Sequence, residues 1–563
     1  MNTQFSLQAG RYARYGVAVL AGVLLSLAFP PVRMAGLAWL APGLILFAAL
    51  GCRSGPAFRV GFVAGVAHFS TSLYWLLYIP VNKFYPLLGW VAVSTYLALY
   101  PAAWVWVSWR IAPVRFQADE SWVAAARRFA ATSLLARGGW ALSAAMLWVG
   151  LDMVRGWMLT GFPWNLLGMS QYELLPLIQI VSVTGVPGLS FLVAWGAVVL
   201  VMAAVVHGLN PAQRRLWLGD FLPVAVFGLG VWLWGAREIW RYPAAPASSL
   251  RVLMIQPSVP QTLIWDGRGN SNRFNHLLEF TELALRTRPD LLLWPEAAIP
   301  ETLCYDEPTY RAVTNLARKY GVWMIVGSDH AEPKASGKEP DYFNSSFLVS
   351  PSGRLAARYD KQKLVIFGEY VPLVDWLPFV KMFTPISGGF ARGKHPVPFA
   401  FTVPPRTNEA SGTMGTPRRL VASVLICFED VFADLARAAA TEETDILVNL
   451  TNDGWFSQSA AQWQHAISAL FRAVEVRRPL LRCTNNGLTT WVDPLGQMHE
   501  LYPEDLEYQF GETFKAMTIP IPDAATRTPT FYQRHGDWFG WGCAIGGLLL
   551  VGVRRRFREA EPR

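Results

Sequence analysis

Charge is scarce in this sequence. Asp, Glu, Lys and Arg make up 16% of its 563 residues, against 52% apolar residues. A chain with so little charge and so much apolar material is not disordered, and it carries more than a purely soluble protein needs. Cysteine is also sparse, at Cys52, Cys304, Cys427, Cys483 and Cys543, with no CxxC pair and no Cys/His metal spacing. Neither a disulfide framework nor a zinc site is indicated. The eight histidines do not cluster, and no glycine-rich phosphate loop is present. No metal, nucleotide or other cofactor is indicated. His68 falls inside an apolar run, where a packed polar group is expected rather than a ligand.

What the chain has in abundance is long apolar runs, and they are unevenly placed. Seven precede residue 240: Gly16–Phe29, Ala35–Leu50, Val60–Ile79, Leu87–Trp109, Trp140–Met158, Leu177–Val206 and Phe221–Trp234. An eighth, Trp538–Val553, follows a stretch of mixed composition. The pattern predicts a polytopic membrane domain of about eight spans over 1–240 and 537–554. A globular domain over 245–530 interrupts it. The first run is not a cleavable signal peptide, since further spans follow it.

The net charge of +9 does not indicate nucleic acid, because its excess lies in short loops beside apolar segments. Arg11 and Arg14, Arg53 and Arg59, Arg110 to Arg137, Arg214 and Arg215, and Arg554 to Arg556 occupy alternate loops, whereas the others hold little beyond Arg33 and Lys83. The positive-inside rule then puts both termini in the cytoplasm and the globular domain on the opposite face. Gly185-Val186-Pro187-Gly188 is expected to kink or begin the sixth span. Trp75, Tyr78, Trp104, Trp157 and Trp164 near span ends are expected as interfacial belts. Asp152 and Arg155 lie three apart, so on a helix they share a face and can pair. They read equally as a stabilising pair or as part of a substrate cavity.

Within the globular stretch, strands and helices alternate. Strands are expected at 250–256, 290–296, 322–328, 345–349, 420–426, 446–450, 480–484 and 489–492, and helices at 270–287, 310–320 and 460–476. This alternation predicts an α/β layered domain. Three residues with reactive chemistry fall at element ends. Glu296 closes a strand after Trp294-Pro295. Lys361 and Lys363 follow Tyr359-Asp360. Cys427 follows the apolar run Leu420–Ile426 and precedes a helical pattern from Val431 with Asp430 as its expected cap. A thiol at such a turn is expected to have a lowered pKa and an oxyanion site beside it. Each residue alone is unremarkable, but together they can make a nucleophile, a base and an oxyanion partner.

Trp294-Pro295-Glu296, Lys361 with Phe367-Gly368-Glu369, and Cys427-Phe428-Glu429 resemble the Glu-Lys-Cys triad of the nitrilase superfamily. Thr160-Gly161-Phe162-Pro163-Trp164, Thr451 to Phe456 and Arg482 to Gly487, with the apolar spans, make nearly the whole chain resemble the apolipoprotein N-acyltransferase family. The resemblance implies an αββα nitrilase-like sandwich and a ping-pong acyl transfer. The donor would be a membrane phospholipid and the acceptor the N-terminal amine of a diacylated apolipoprotein. A bacterial inner membrane with a periplasmic catalytic domain would be its setting. It implies Cys427 as nucleophile, Glu296 as general base and Lys361 as the ammonium. Glu369 would be a second carboxylate that orients Lys361 or relays protons. Trp265 would stand on a loop near the acyl site, and Glu429 at the acidic position of the cysteine motif. Lys363 falls outside the pattern. Phe428 stands where the family often has Tyr, and Ser258 where Asn is frequent. A membrane-tethered amidase and a catalytically silent lipid- or peptide-binding protein are the rival readings. Val374 to Phe383 is apolar and aromatic enough to dip into a membrane interface.

Overall fold

The computed structural model describes residues 2–116, 120–209, 214–242, 248–264, 266–334, 340–372, 389–405, 416–499, 509–524 and 527–560. It divides into two units. One comprises Met1–Leu77, Pro86–Arg241 and Arg534–Arg563, the other Tyr78–Tyr85 and Tyr242–Gln533.

The first unit is helical. Among the described residues, four helices are long and apolar enough to cross a membrane: Phe84–Arg110, Leu134–Thr160, Val186–Leu209 and Leu218–Arg241. That is fewer than the eight spans expected. Tyr12–Leu27, Ala35–Ala48 and Trp538–Val553 are shorter apolar helices. The expected third span is a helix over Ser54–Ser72 followed by a separate turn, and its Arg59, His68 and serines dilute its apolar character. The expected sixth span breaks at Gly185, whose φ of +65° ends one helix. Pro187, in the next helix's first turn, needs no amide hydrogen bond and so suits a new start.

Helices in this unit approach closely where side chains are small. A Cβ on Gly65 would lie 2.7 Å from Ala98 Cα, so Gly61 and Gly65 let Ser54–Ser72 seat directly on Phe84–Arg110. Three of the expected belt tryptophans are instead packed inside. Trp75, Trp104 and Trp164 are buried; Trp104 Nε1 donates to Ala144 O at 2.7 Å. Only Trp157 and Tyr78 of that set are exposed. An indole that finds a carbonyl partner can be buried at little cost, and that option is invisible in composition. Arg155 pairs with Asp152 at 2.9 Å and donates to Trp164 O at 3.3 Å.

The second unit holds two six-stranded sheets. The first contains β1 (Ser248–Gln256), β2 (Leu291–Leu293), β3 (Trp323–Glu332), β4 (Asp341–Val349) and β5 (Leu355–Asp360). The second contains β6 (Pro398–Val403), β7 (Arg418–Ile426), β8 (Ile446–Thr451), β9 (Leu480–Thr484), β10 (Thr490–Val492) and β11 (Met498–His499). Strand β12 (Thr513–Ile521) returns to pair with β1. The orders are β12-β1-β2-β3-β4-β5 and β11-β10-β9-β8-β7-β6, with β1-β2-β3 and β7-β8-β9 parallel.

Alternation along the strands decides the layers. Val252, Met254, Leu291, Leu293 and Ile325 of one sheet face Ala422, Val424, Ile446, Val448 and Leu450 of the other. The intervening Leu253, Ile255, Leu292, Met324 and Val326 pack outward against helices Asn270–Ala284 and Glu307–Tyr320. Helices Ala433–Ala439 and Ala461–Val476 cover the second sheet. The result is the expected αββα sandwich. Local chemistry sets the boundaries: Asp306 caps Glu307–Tyr320 by accepting from Thr309 N at 3.0 Å, and Gly321 closes it at φ +61°. The carboxyl ends of parallel strands, where loops can gather functional groups, here carry Glu296, Cys427 and Asp453.

Candidate active site

Cys427 follows β7 with a φ of +51°, a left-handed value that a non-glycine residue adopts only under local constraint. The constraint is Glu429. Its buried carboxylate accepts from Ile426 N at 2.7 Å, Gln362 N at 2.6 Å, Lys363 N at 3.0 Å and the Tyr359 hydroxyl at 2.9 and 3.0 Å. One side chain therefore ties the cysteine elbow to the chain that follows β5. Burial pushes the Glu429 carboxyl up to about 6, against the pull of those backbone donors. Asn449 Nδ2 completes the elbow by donating to Cys427 O at 3.1 Å.

Lys361 is the first residue beyond β5, and its N–H donates to Asn344 O at 2.8 Å. Its side chain is 1% exposed, and Nζ lies 3.0 Å from Glu296 Oε1 and 2.8 Å from Glu369 Oε1. Asn344 Nδ2 donates to both of the same oxygens, at 2.8 and 2.9 Å. Burial alone would lower the lysine, but Glu296 and Glu369 outweigh it and hold the ammonium well above its usual pKa. Glu369 Oε2 accepts from Val365 N at 2.8 Å, whereas Glu296 Oε2 is buried and takes no hydrogen bond among the described residues.

Cys427 is half-buried, within electrostatic reach of Glu296 and Lys361. Burial and then Glu296 push its thiol well up, with Lys361 opposing them. This reverses the lowered pKa expected of a helix N-terminus. The turn after Cys427 is a short 3-10 segment, Cys427–Val431, and the α-helix starts only at Ala433. No aligned α-helical amides therefore begin at the sulfur. Asp430 is not its cap either. It lies 2.8 Å from His465 Nε2, while Nδ1 of the same ring meets Asp453 Oδ1 at 2.7 Å. Asp453 also binds Arg482 at 2.8 Å.

Lys363 stands apart from the carboxylates, with Nζ 4.3 Å from the Phe432 ring centre. Phe428 is half-buried with its ring 5.1 Å from that of Phe432. Ser258 donates to Phe510 O at 2.5 Å. Trp265 and Val374 to Phe383 lie outside the described residues. Among the described residues, no cluster of His, Cys, Asp and Glu could hold a metal. The residues that sequence reasoning missed are Asn344 and His465. Each lies mid-element, where nothing in the local pattern separates a polar core residue from a site residue.

The sequence models of two families match this chain. The apolipoprotein N-acyltransferase N-terminal domain covers residues 21–199. The carbon-nitrogen hydrolase covers residues 268–510. The chain is 33% identical to the apolipoprotein N-acyltransferase of Geobacter metallireducens over 552 residues, 96% of this chain and 95% of that one. It is 32% identical to that of Azotobacter vinelandii over 563 residues, 97% and 96% of the two chains. Against that of Photobacterium profundum the figures are 30% over 569 residues and 97% of each.

Proposed function

The chain belongs to the apolipoprotein N-acyltransferase family, and we propose that it moves an acyl chain through a thioester on Cys427. The donor is a membrane phospholipid. The acceptor is the α-amine of an N-terminal diacylglyceryl-cysteine on an apolipoprotein, which leaves triacylated. The catalytic unit works at the periplasmic face of a bacterial inner membrane, held by the helices of 1–240 and 537–554, with both chain ends cytoplasmic.

One observation carries the assignment of roles. Lys361 Nζ is clamped between two carboxylates, and one of them, Glu296, keeps a buried oxygen without a hydrogen bond. A raised thiol pKa means that Cys427 rests protonated, so attack on an ester needs a base at hand. Glu296 takes the thiol proton as the S–C bond forms. Lys361 stays charged and stabilises the tetrahedral oxyanion. Glu296 then passes the proton to the departing glyceryl oxygen, and lysophospholipid leaves. The amine attacks the thioester and Cys427 regains a proton. Glu369 and Asn344 orient Lys361, and Glu429 holds the elbow to the lysine loop.

Intact-mass spectrometry of the purified protein with phospholipid and no acceptor tests this reading. A gain of one acyl chain is expected, absent in Cys427→Ser and Cys427→Ala and discharged by a diacylated lipopeptide. Discharge by water alone would favour a tethered amidase. No gain in a folded protein would sink the thioester.

A further inference from the structure

The thioester route leaves one proton unaccounted for. In the first half-reaction the thiol proton ends on the leaving alcohol, and the balance is zero. In the second, the acceptor arrives as an ammonium, since α-amino groups titrate near ~8. Its nitrogen loses two protons as the C–N bond forms and the C–S bond breaks. One returns to Cys427 Sγ. The other must reach bulk water, and each turnover needs a path for it.

We infer that Asp329 is the exit for this second proton, relaying it from the Glu296–Glu369 pair to solvent; the inference rests on the thioester reading above. Asp329 lies on β3 directly opposite Asn344 on β4, so their side chains share one face of the sheet. Asn344 Nδ2 is the group that bridges Glu296 and Glu369. Two residues earlier, on the same face of β3, Gly327 lies against the Glu296 backbone. A Cβ there would come 2.8 Å from Glu296 Cα. Asp329 is half-buried, so solvent has access to its side chain. Glu296, in the turn after β2, and Glu369, in the loop after Lys361, both act on it electrostatically, and Lys361 Nζ lies between those two. On β3 itself His330 alternates to the other face, and on β5 Arg358 is paired with Glu332 and Asp360. Burial, reinforced by Glu296 and Glu369, raises the Asp329 carboxyl to about 7, where it can both accept and release a proton at working pH.

The test separates the half-reactions in the full-length enzyme. Asp329→Asn should load an acyl chain from phospholipid at the wild-type rate. Discharge by a diacylated lipopeptide should slow about tenfold or more and lose its pH limb near ~7. Imidazole buffer should restore that rate in the variant and leave the wild type unmoved. Unchanged discharge with an unchanged pH profile would overturn the relay. So would an equal loss in both half-reactions with no rescue by imidazole. A wild-type enzyme that never acquires the acyl chain would instead overturn the thioester reading itself.

Discussion

A lysine that is 1% exposed keeps its charge only while something nearby outweighs the cost of burying it. At Lys361 the counterweight is Glu296 and Glu369, and the dependence is mutual. Without the ammonium, two carboxylates bridged by one Asn344 amide lose the positive charge between them. Lys361→Met should therefore remove the charge that, on the proposed mechanism, stabilises the oxyanion. We expect acyl-enzyme formation to slow by roughly 10³-fold or more, read by the appearance of the acylated mass. The same substitution leaves an uncompensated charge inside the sandwich and should cost about 3–5 kcal/mol of stability. Retained acylation at near wild-type rate would remove Lys361 from the reaction. Glu429 is the complementary case, a carboxylate whose acceptor capacity is spent on the backbone around Cys427.

At the scale of elements, the site depends on how closely strands and turns approach. β3 passes the Trp294–Ala297 turn with no room for a side chain, because a Cβ on Gly327 would meet Pro295 O at 2.4 Å. Gly327→Ala should push the turn and Glu296 away from Lys361, cost about 1–3 kcal/mol, and slow thioester formation while leaving the membrane helices intact. A variant as stable and active as wild type would show that the turn can yield. The cysteine elbow follows the same logic. Its left-handed φ persists because Glu429 and Asn449 hold both sides of it.

At the scale of the molecule, buried titrating groups tie stability to pH. His465 lies between Asp430 and Asp453. Burial alone would lower it, but the two carboxylates raise it to about 9 from an ordinary 6.5. Its ion pairs therefore stabilise the fold fully below pH 6.5, and that contribution is lost as pH climbs through about 9. Glu429, raised by burial to about 6, acts with the same sign at lower pH, its contribution present below 4.5 and lost above. The melting temperature of the intact protein in detergent should fall between pH 6.5 and 9, by the equivalent of about 3 kcal/mol from His465. His465→Asn should flatten that slope. A melting temperature that held or rose over this range would contradict the network.

Much of this protein was legible in its sequence because the signals were local. Apolar runs report helices through the cost of burying charge. Alternating strand and helix patterns report an α/β sandwich, and Cys427 marks the end of an apolar strand. The strands that escaped notice, β5, β6, β11 and β12, are weakly apolar or short, and pairing with a partner strand defines them. The count of spans, the burial of Trp75, Trp104 and Trp164, and the ionisation of Cys427 depended on neighbours far along the chain. So did the placement of Asn344 between Glu296 and Glu369, and of His465 between Asp430 and Asp453. Sequence determines which groups a chain can bring to a site. Burial and field are sums over everything that packs around a group, and only the tertiary structure sets those sums.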